Sequence, residues 1–174
     1  MIFKNILPFE DYMLTTRLSI NEIIKRLNDN IEEKRSFSFS TLGQNYIKPY
    51  SGQITGSTFT MSRNISYRNS FLPVITGQIT ASNGQTQVHI KMRPVLIVLI
   101  FISFWLGIVG LACIAILLTG LLQFKEILQN GFSSATLIPF GMFAFGCLLT
   151  HFAFKTESKK SKKFLAKLLE SVDD

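Results

Sequence analysis

Apolar and polar positions alternate with different periods along the chain, and each change of period marks a change of element. Asp11 to Leu18 reads as a first strand running into Ser19, which with Glu22 forms a Ser-x-x-Glu capping box. A helix follows. Ile20, Ile23, Ile24, Leu27 and Ile31 fall on one stripe, whereas Glu22, Lys25, Arg26, Asp29, Glu32 and Glu33 point elsewhere, so this helix lies on an apolar surface. Beyond a Ser/Phe segment and the Lys48-Pro49 break the period falls to two. Tyr50 to Thr55 alternates, Gly56-Ser57 turns the chain, and Thr58 to Ile65 sends Phe59 and Met61 to one face. Phe71 to Ala81 places Phe71, Ile75 and Ile79 together, and Ser82-Asn83-Gly84 signals a hairpin. In the last strand Val88, Ile90 and Met92 alternate with His89, Lys91 and Arg93, which gives one buried face and one basic face.

Periodicity then disappears. Pro94 to Phe124 and Ile127 to Phe154 are uncharged, with only Lys125 and Glu126 as ionic residues between them. About 20 apolar residues in a helix span a hydrocarbon core roughly 30 Å thick, and both runs exceed that. Ser103, Gly107 and Gly110 in the first run, and Gly141, Ala144 and Cys147 in the second, provide small side chains for close helix packing, within one chain or between copies. The expected architecture is α+β: a small antiparallel sheet with one N-terminal covering helix, a two-helix transmembrane hairpin, and a C-terminal amphipathic helix. The expected divisions are 1–93 as a cytoplasmic α+β domain, 94–154 as the hairpin and 155–174 as a basic amphipathic tail.

Charge adds an orientation. The chain has 174 residues, 47% hydrophobic, with formal net charge +7. Eleven Lys/Arg precede position 94 and six Lys follow Phe154, while the connection between the apolar runs holds only Lys125. Cations are retained on the cytoplasmic side, so both termini are expected inside, in a bacterial inner membrane. Met1 to Tyr12 contains Glu10 and Asp11 and does not read as a secretory signal.

Between Glu33 and Glu126 no acidic residue occurs, yet Lys34, Arg35, Lys48, Arg63, Arg68, Lys91 and Arg93 do. A basic sheet beside a leaflet is drawn to anionic headgroups, each near-surface cation contributing about 1 kcal/mol before screening. Retention of cations inside explains the same bias without a ligand. In the tail, Lys159, Lys160, Lys162 and Lys163 precede Phe164, Leu165, Leu168, Leu169 and Val172 at helical spacing. The first reading of this segment is a helix in the headgroup plane; docking on the soluble domain and engagement of another copy are the alternatives. The contact residues for lipid or partner are therefore Arg63, Arg68, Lys91, Arg93, Lys159, Lys160, Lys162 and Lys163.

Catalytic and cofactor chemistry has little support. His89 and His151 are isolated, and Cys113 and Cys147 lie within the apolar runs as packing residues, so neither zinc spacing nor a Cys/His dyad is present in the sequence. His151 is expected at the interface rather than in proton transfer. No phosphate-binding loop or dinucleotide fingerprint occurs, and Gly52 to Ser57 reads as a turn. The basic charge comes without a nucleic-acid module or aromatic platform, which leaves nucleic acid out. No cofactor is expected, and an enzyme built on the helix acids with Tyr67, Arg68 and Asn69 has no supporting spacing. The run Tyr67 to Pro73 reads first as a structural turn whose Arg and Asn satisfy backbone groups.

The Ser-Gly-Gln-Ile beginning at Ser51, the Tyr67 to Pro73 run and the Ile-Lys-Met-Arg-Pro segment ending at Pro94 resemble an uncharacterised family of small bacterial membrane proteins. The resemblance covers roughly residues 10 to 125. It implies a cytoplasmic α+β domain on two spans and no assigned activity. The expected function is a non-enzymatic inner-membrane protein whose basic domain binds a protein partner, anionic lipid or another copy of itself. The alternative is an oligomeric channel or membrane-perturbing effector gated by the soluble domain. With no ionisable residue inside either apolar run, a single-chain transporter is disfavoured.

Overall fold

A computed structural model describes residues 8–33, 47–82, 84–122 and 134–172. The chain divides into two compact units: one comprises the residues up to Val95 and those from Ala153 onward, the other Leu96–Phe152.

The first unit is built on a six-stranded sheet. Strand β1 (Glu10–Thr16) leads through Ser19, whose hydroxyl accepts from the Glu22 N–H, into helix α1 (Ile20–Asn30). The helix ends at Asn30, whose side-chain amide donates to the Arg26 carbonyl, and Lys48 Nζ donates to the carbonyls of Asn28 (2.6 Å) and Ile31. Ile31 is therefore not a helix residue as its spacing suggests. It begins a short strand, β2 (Ile31–Glu33), and reaches the core from there. Strands β3 (Tyr50–Thr55), β4 (Thr58–Arg63), β5 (Val74–Ser82) and β6 (Gln85–Arg93) follow as an antiparallel meander. At the β5–β6 turn Gly84 has φ +77°, as a hairpin demands; Asn83 of the expected hairpin signal lies outside the described residues.

The strand order is β1-β6-β5-β4-β3-β2. β1 closes against β6, with Leu14 opposite Val88, while β2 lies parallel to β3, with Ile31 opposite Tyr50. The sheet is thus mixed, not antiparallel throughout. The cause is α1, which carries the chain from one sheet edge to the other and delivers β2 running the same way as β1. That crossing covers one face of the sheet.

The covered face carries Leu14, Tyr50, Phe59, Met61, Ile75, Ile79, Val88, Ile90 and Met92, all buried in one cluster with Ile23 and Leu27 of α1. Gly77 is required here. It pairs across the strands with Phe59, whose ring covers it so closely that an added Cβ would lie 2.1 Å from Cζ. The opposite face is polar, with rows such as Gln53-Thr60-Thr76-Lys91-Asp11 crossing five strands.

A second helical element completes the core. Helix α2 spans Leu96–Leu122, and after a 3₁₀ turn at Ser134–Leu137 helix α3 runs unbroken over Ile138–Leu168. The expected separate C-terminal helix is a continuation of α3. Its apolar stripe, Phe154, Leu165 and Leu169, is fully buried in the same cluster as the sheet and α1. The expected headgroup-plane placement of the tail is therefore replaced by docking on the domain. The reason is area: α1 and this stripe share the one apolar face of the sheet, and the stripe joins the same buried cluster. At the end of α3, Glu170 turns with φ 49° and the Val172 N–H donates to the Thr15 carbonyl on the outer edge of β1.

Helix α2 and the segment Ser134–Leu168, which begins in the second unit and ends in the first, are each long and apolar enough to cross a membrane, and only 11% and 17% of their most apolar stretches are buried. A core helix of a soluble protein would be mostly enclosed. Of the small residues expected at the helix contact, Gly110 meets the Phe143 ring, whereas Gly107 and Gly141 face open space. Among the described glycines of these helices the closest approach is at Gly146, where a Cβ would fall 2.4 Å from Trp105 Cζ3.

Candidate functional site

Two acid-centred clusters hold the C-terminal part of α3 to the sheet. Glu157 lies on the buried stripe of the helix, one turn beyond Phe154, and only 3% of its side chain is exposed. Its Oε2 accepts from Arg63 Nη1 of β4 at 2.5 Å, and its Oε1 accepts from Lys160 Nζ at 2.8 Å and from the Tyr67 hydroxyl. Burial alone would raise the pKa of this carboxyl, but the bonds from Lys160, Tyr67 and Arg63 outweigh it and hold Glu157 below its ordinary value. The Lys160 ammonium also stands over the Tyr67 ring, 5.9 Å from its centroid.

The second cluster reverses the polarity. Glu10 of β1 accepts from Lys155 Nζ at 2.5 Å and Lys162 Nζ at 2.6 Å, both from α3. Burial again acts to raise its pKa, and the two ammonium groups lower it below the ordinary value. Lys162 also lies 4.6 Å over the ring of Tyr12, whose phenol is pushed up chiefly by burial. Between the clusters Tyr50 stacks on Phe164 at 4.6 Å and donates to Ser161.

The residues singled out from the sequence separate into two sets. Arg63, Lys160 and Lys162 are engaged in these ion pairs. Arg68, Lys91, Arg93, Lys159 and Lys163 are exposed and form no ion pair among the described residues. Lys34 and Arg35 lie outside the described residues. The sheet is accordingly less basic than the interval Glu33 to Glu126 suggests, since β1 adds Glu10 and Asp11, and α3 adds Glu157. Asp11 meets His89 at 2.5 Å on the open face.

Arg68 and Arg93 share one end of the sheet. Val74, the first residue after the β4–β5 loop, pairs with Arg93, and Asn69 within that loop donates to the Ala153 carbonyl at 3.3 Å. Both apolar helices join the first unit at this end, after Val95 and before Ala153. Half-exposed Tyr67 and Phe9 are there too. Asn69 is the structural member of the loop: its Oδ1 accepts from the Phe71 N–H and its amide anchors α3, which leaves Arg68 facing solvent.

Sequence reasoning missed Glu10, Tyr12 and Glu157. For Glu157 a signal existed, because it falls in helical phase with Phe154, Ser158, Ser161 and Leu165, so it is an acid on the face that must be buried. Among the described residues no group of three His, Cys, Asp or Glu side chains could hold a metal ion. Comparison with known proteins found no matching family, no matching curated protein and no matching solved structure.

Proposed function

We propose that this chain is a non-enzymatic integral inner-membrane protein, with both termini cytoplasmic, whose α+β domain rests its basic end on anionic headgroups. The observation that carries the reading is the convergence of Arg68 and Arg93 on the sheet end from which both apolar helices depart. The distribution of Lys and Arg along the chain supports the orientation. Half-exposed Tyr67 at that end suits an interface where one end of a ring is apolar and the other wet, and half-exposed Phe9 adds apolar surface there. Arg63 contributes positioning rather than lipid contact, since its guanidinium is held by Glu157.

The test uses the full chain in nanodiscs of phosphatidylcholine with and without phosphatidylglycerol, followed by amide hydrogen exchange. Anionic lipid is expected to slow exchange in residues 66–72 and 91–95, with the effect lost in high salt and in Arg68→Glu/Arg93→Glu. Equal exchange in both lipids would overturn headgroup contact. Labelling of a terminal tag by an impermeant reagent in intact cells would overturn the orientation.

A further inference from the structure

Three lysines of α3 stand apart from both acid clusters. Lys159, Lys163 and Lys167 are exposed, and none forms an ion pair among the described residues. A spacing of four places them in one row along the helix, on the side away from buried Phe154, Leu165 and Leu169. Among the described residues, the acids nearest in sequence are already engaged, Glu157 by Arg63, Tyr67 and Lys160, and Glu170 by Arg26. Like charges at this spacing oppose an isolated helix, so the row is held in place by the apolar stripe behind it, and among the described residues no acid pairs with it.

The row also extends too far for one membrane surface to neutralise it. At about 1.5 Å per residue, Lys163 lies about 15 Å and Lys167 about 21 Å along the axis beyond Ala153. A tilt of about 20° shortens these distances by less than about a tenth. Exposed charges are screened over about 8 Å at physiological salt. The inference rests on the reading above for the level of the headgroups, which it sets beside Arg68, Arg93 and Ala153. From that level the two outer lysines do not reach the leaflet.

We propose that Lys159, Lys163 and Lys167 form a docking row for an acidic protein segment in the aqueous phase. The complementary partner presents carboxylates along one helix face, at the about 6 Å repeat of positions four apart. Such a contact is set by charge and register, and it is sensitive to salt.

The full chain in phosphatidylcholine nanodiscs is titrated against a fluorescein-labelled helical peptide with glutamate at every fourth position, read by anisotropy. Binding is expected to weaken about tenfold in Lys159→Glu/Lys163→Glu/Lys167→Glu, and by less in the corresponding Gln variant, which keeps the helix uncharged at these sites. Arg68→Glu/Arg93→Glu is expected to bind as the parent does. Equal binding by parent and triple variant overturns the proposal, as does an equal loss in the arginine variant, which would mean that net charge alone attracts the peptide. In nanodiscs containing phosphatidylglycerol the peptide is expected to bind still; its exclusion would place the row on lipid and overturn the aqueous partner. Peptide binding with no lipid effect on hydrogen exchange would leave the docking row standing and remove the headgroup reading.

Discussion

Glu157 and Arg63 meet at 2.5 Å although 94 positions separate them, and the carboxylate is nearly enclosed while the guanidinium is 29% exposed. The pair ties a helix that continues from an apolar run to a strand in the middle of a sheet. Its carboxylate has three donors, which is the condition under which a buried charge is tolerated.

Removing one partner leaves the other charge enclosed. Arg63→Ala is expected to destabilise the first unit by about 3 kcal/mol, at the lower end for buried pairs because Arg63 is partly exposed. Glu157→Gln, which retains the shape and can still accept from Tyr67, should cost less. Denaturant unfolding in detergent, followed by a probe on the sheet, checks the order of the two.

The lowered pKa values of Glu157 and Glu10 give a signed pH dependence. A carboxyl whose folded value lies below its unfolded value contributes stability above the unfolded value, about 4.3 for Glu, and loses it as pH falls through the folded one. Stability is therefore expected to be level from neutral pH to about 5 and to fall below about 4. Glu157→Gln should flatten that fall; an unchanged acid limb would exclude Glu157 as a contributor.

Leu165 lies in the core, not in a headgroup layer. Leu165→Ala should cost about 2–5 kcal/mol in detergent without any lipid, the range for truncating a buried leucine. An effect that appears only when anionic lipid is present would contradict docking on the sheet.

At Gly77 a methyl group would enter the Phe59 ring, which is 2% exposed and has no room to withdraw. Gly77→Ala is expected to cost about 1–3 kcal/mol, as overpacking does. Combining it with Phe59→Leu should recover part of the loss, which a double-mutant cycle measures.

Local chemistry made several elements legible. Ser19 and Glu22 announced α1, the two-residue alternation announced β3 to β6, and the length of the two uncharged runs announced α2 and most of α3. These are signals carried by neighbours in the chain, where a cap or a period acts within a turn or two. β2 was not legible, because Ile31 continues the helical stripe until the Asn30 amide and Lys48 take the last carbonyls of α1. Of the contact residues, Arg68 and Arg93 are exposed at one sheet end, while Arg63, Lys160 and Lys162 are withdrawn into ion pairs.

By itself the amino-acid order determined which segments are apolar, how each repeats, and how the cations are distributed along the chain. Tertiary structure alone decided where the amphipathic tail goes and which of the described cations are taken into ion pairs. The tail's stripe is compatible with any apolar surface, and the sheet that receives it is assembled from strands distant in sequence. The acids that neutralise Arg63, Lys155 and Lys162 likewise come from the far ends of the chain, so their partners exist only once β1 and α3 have packed on the same sheet.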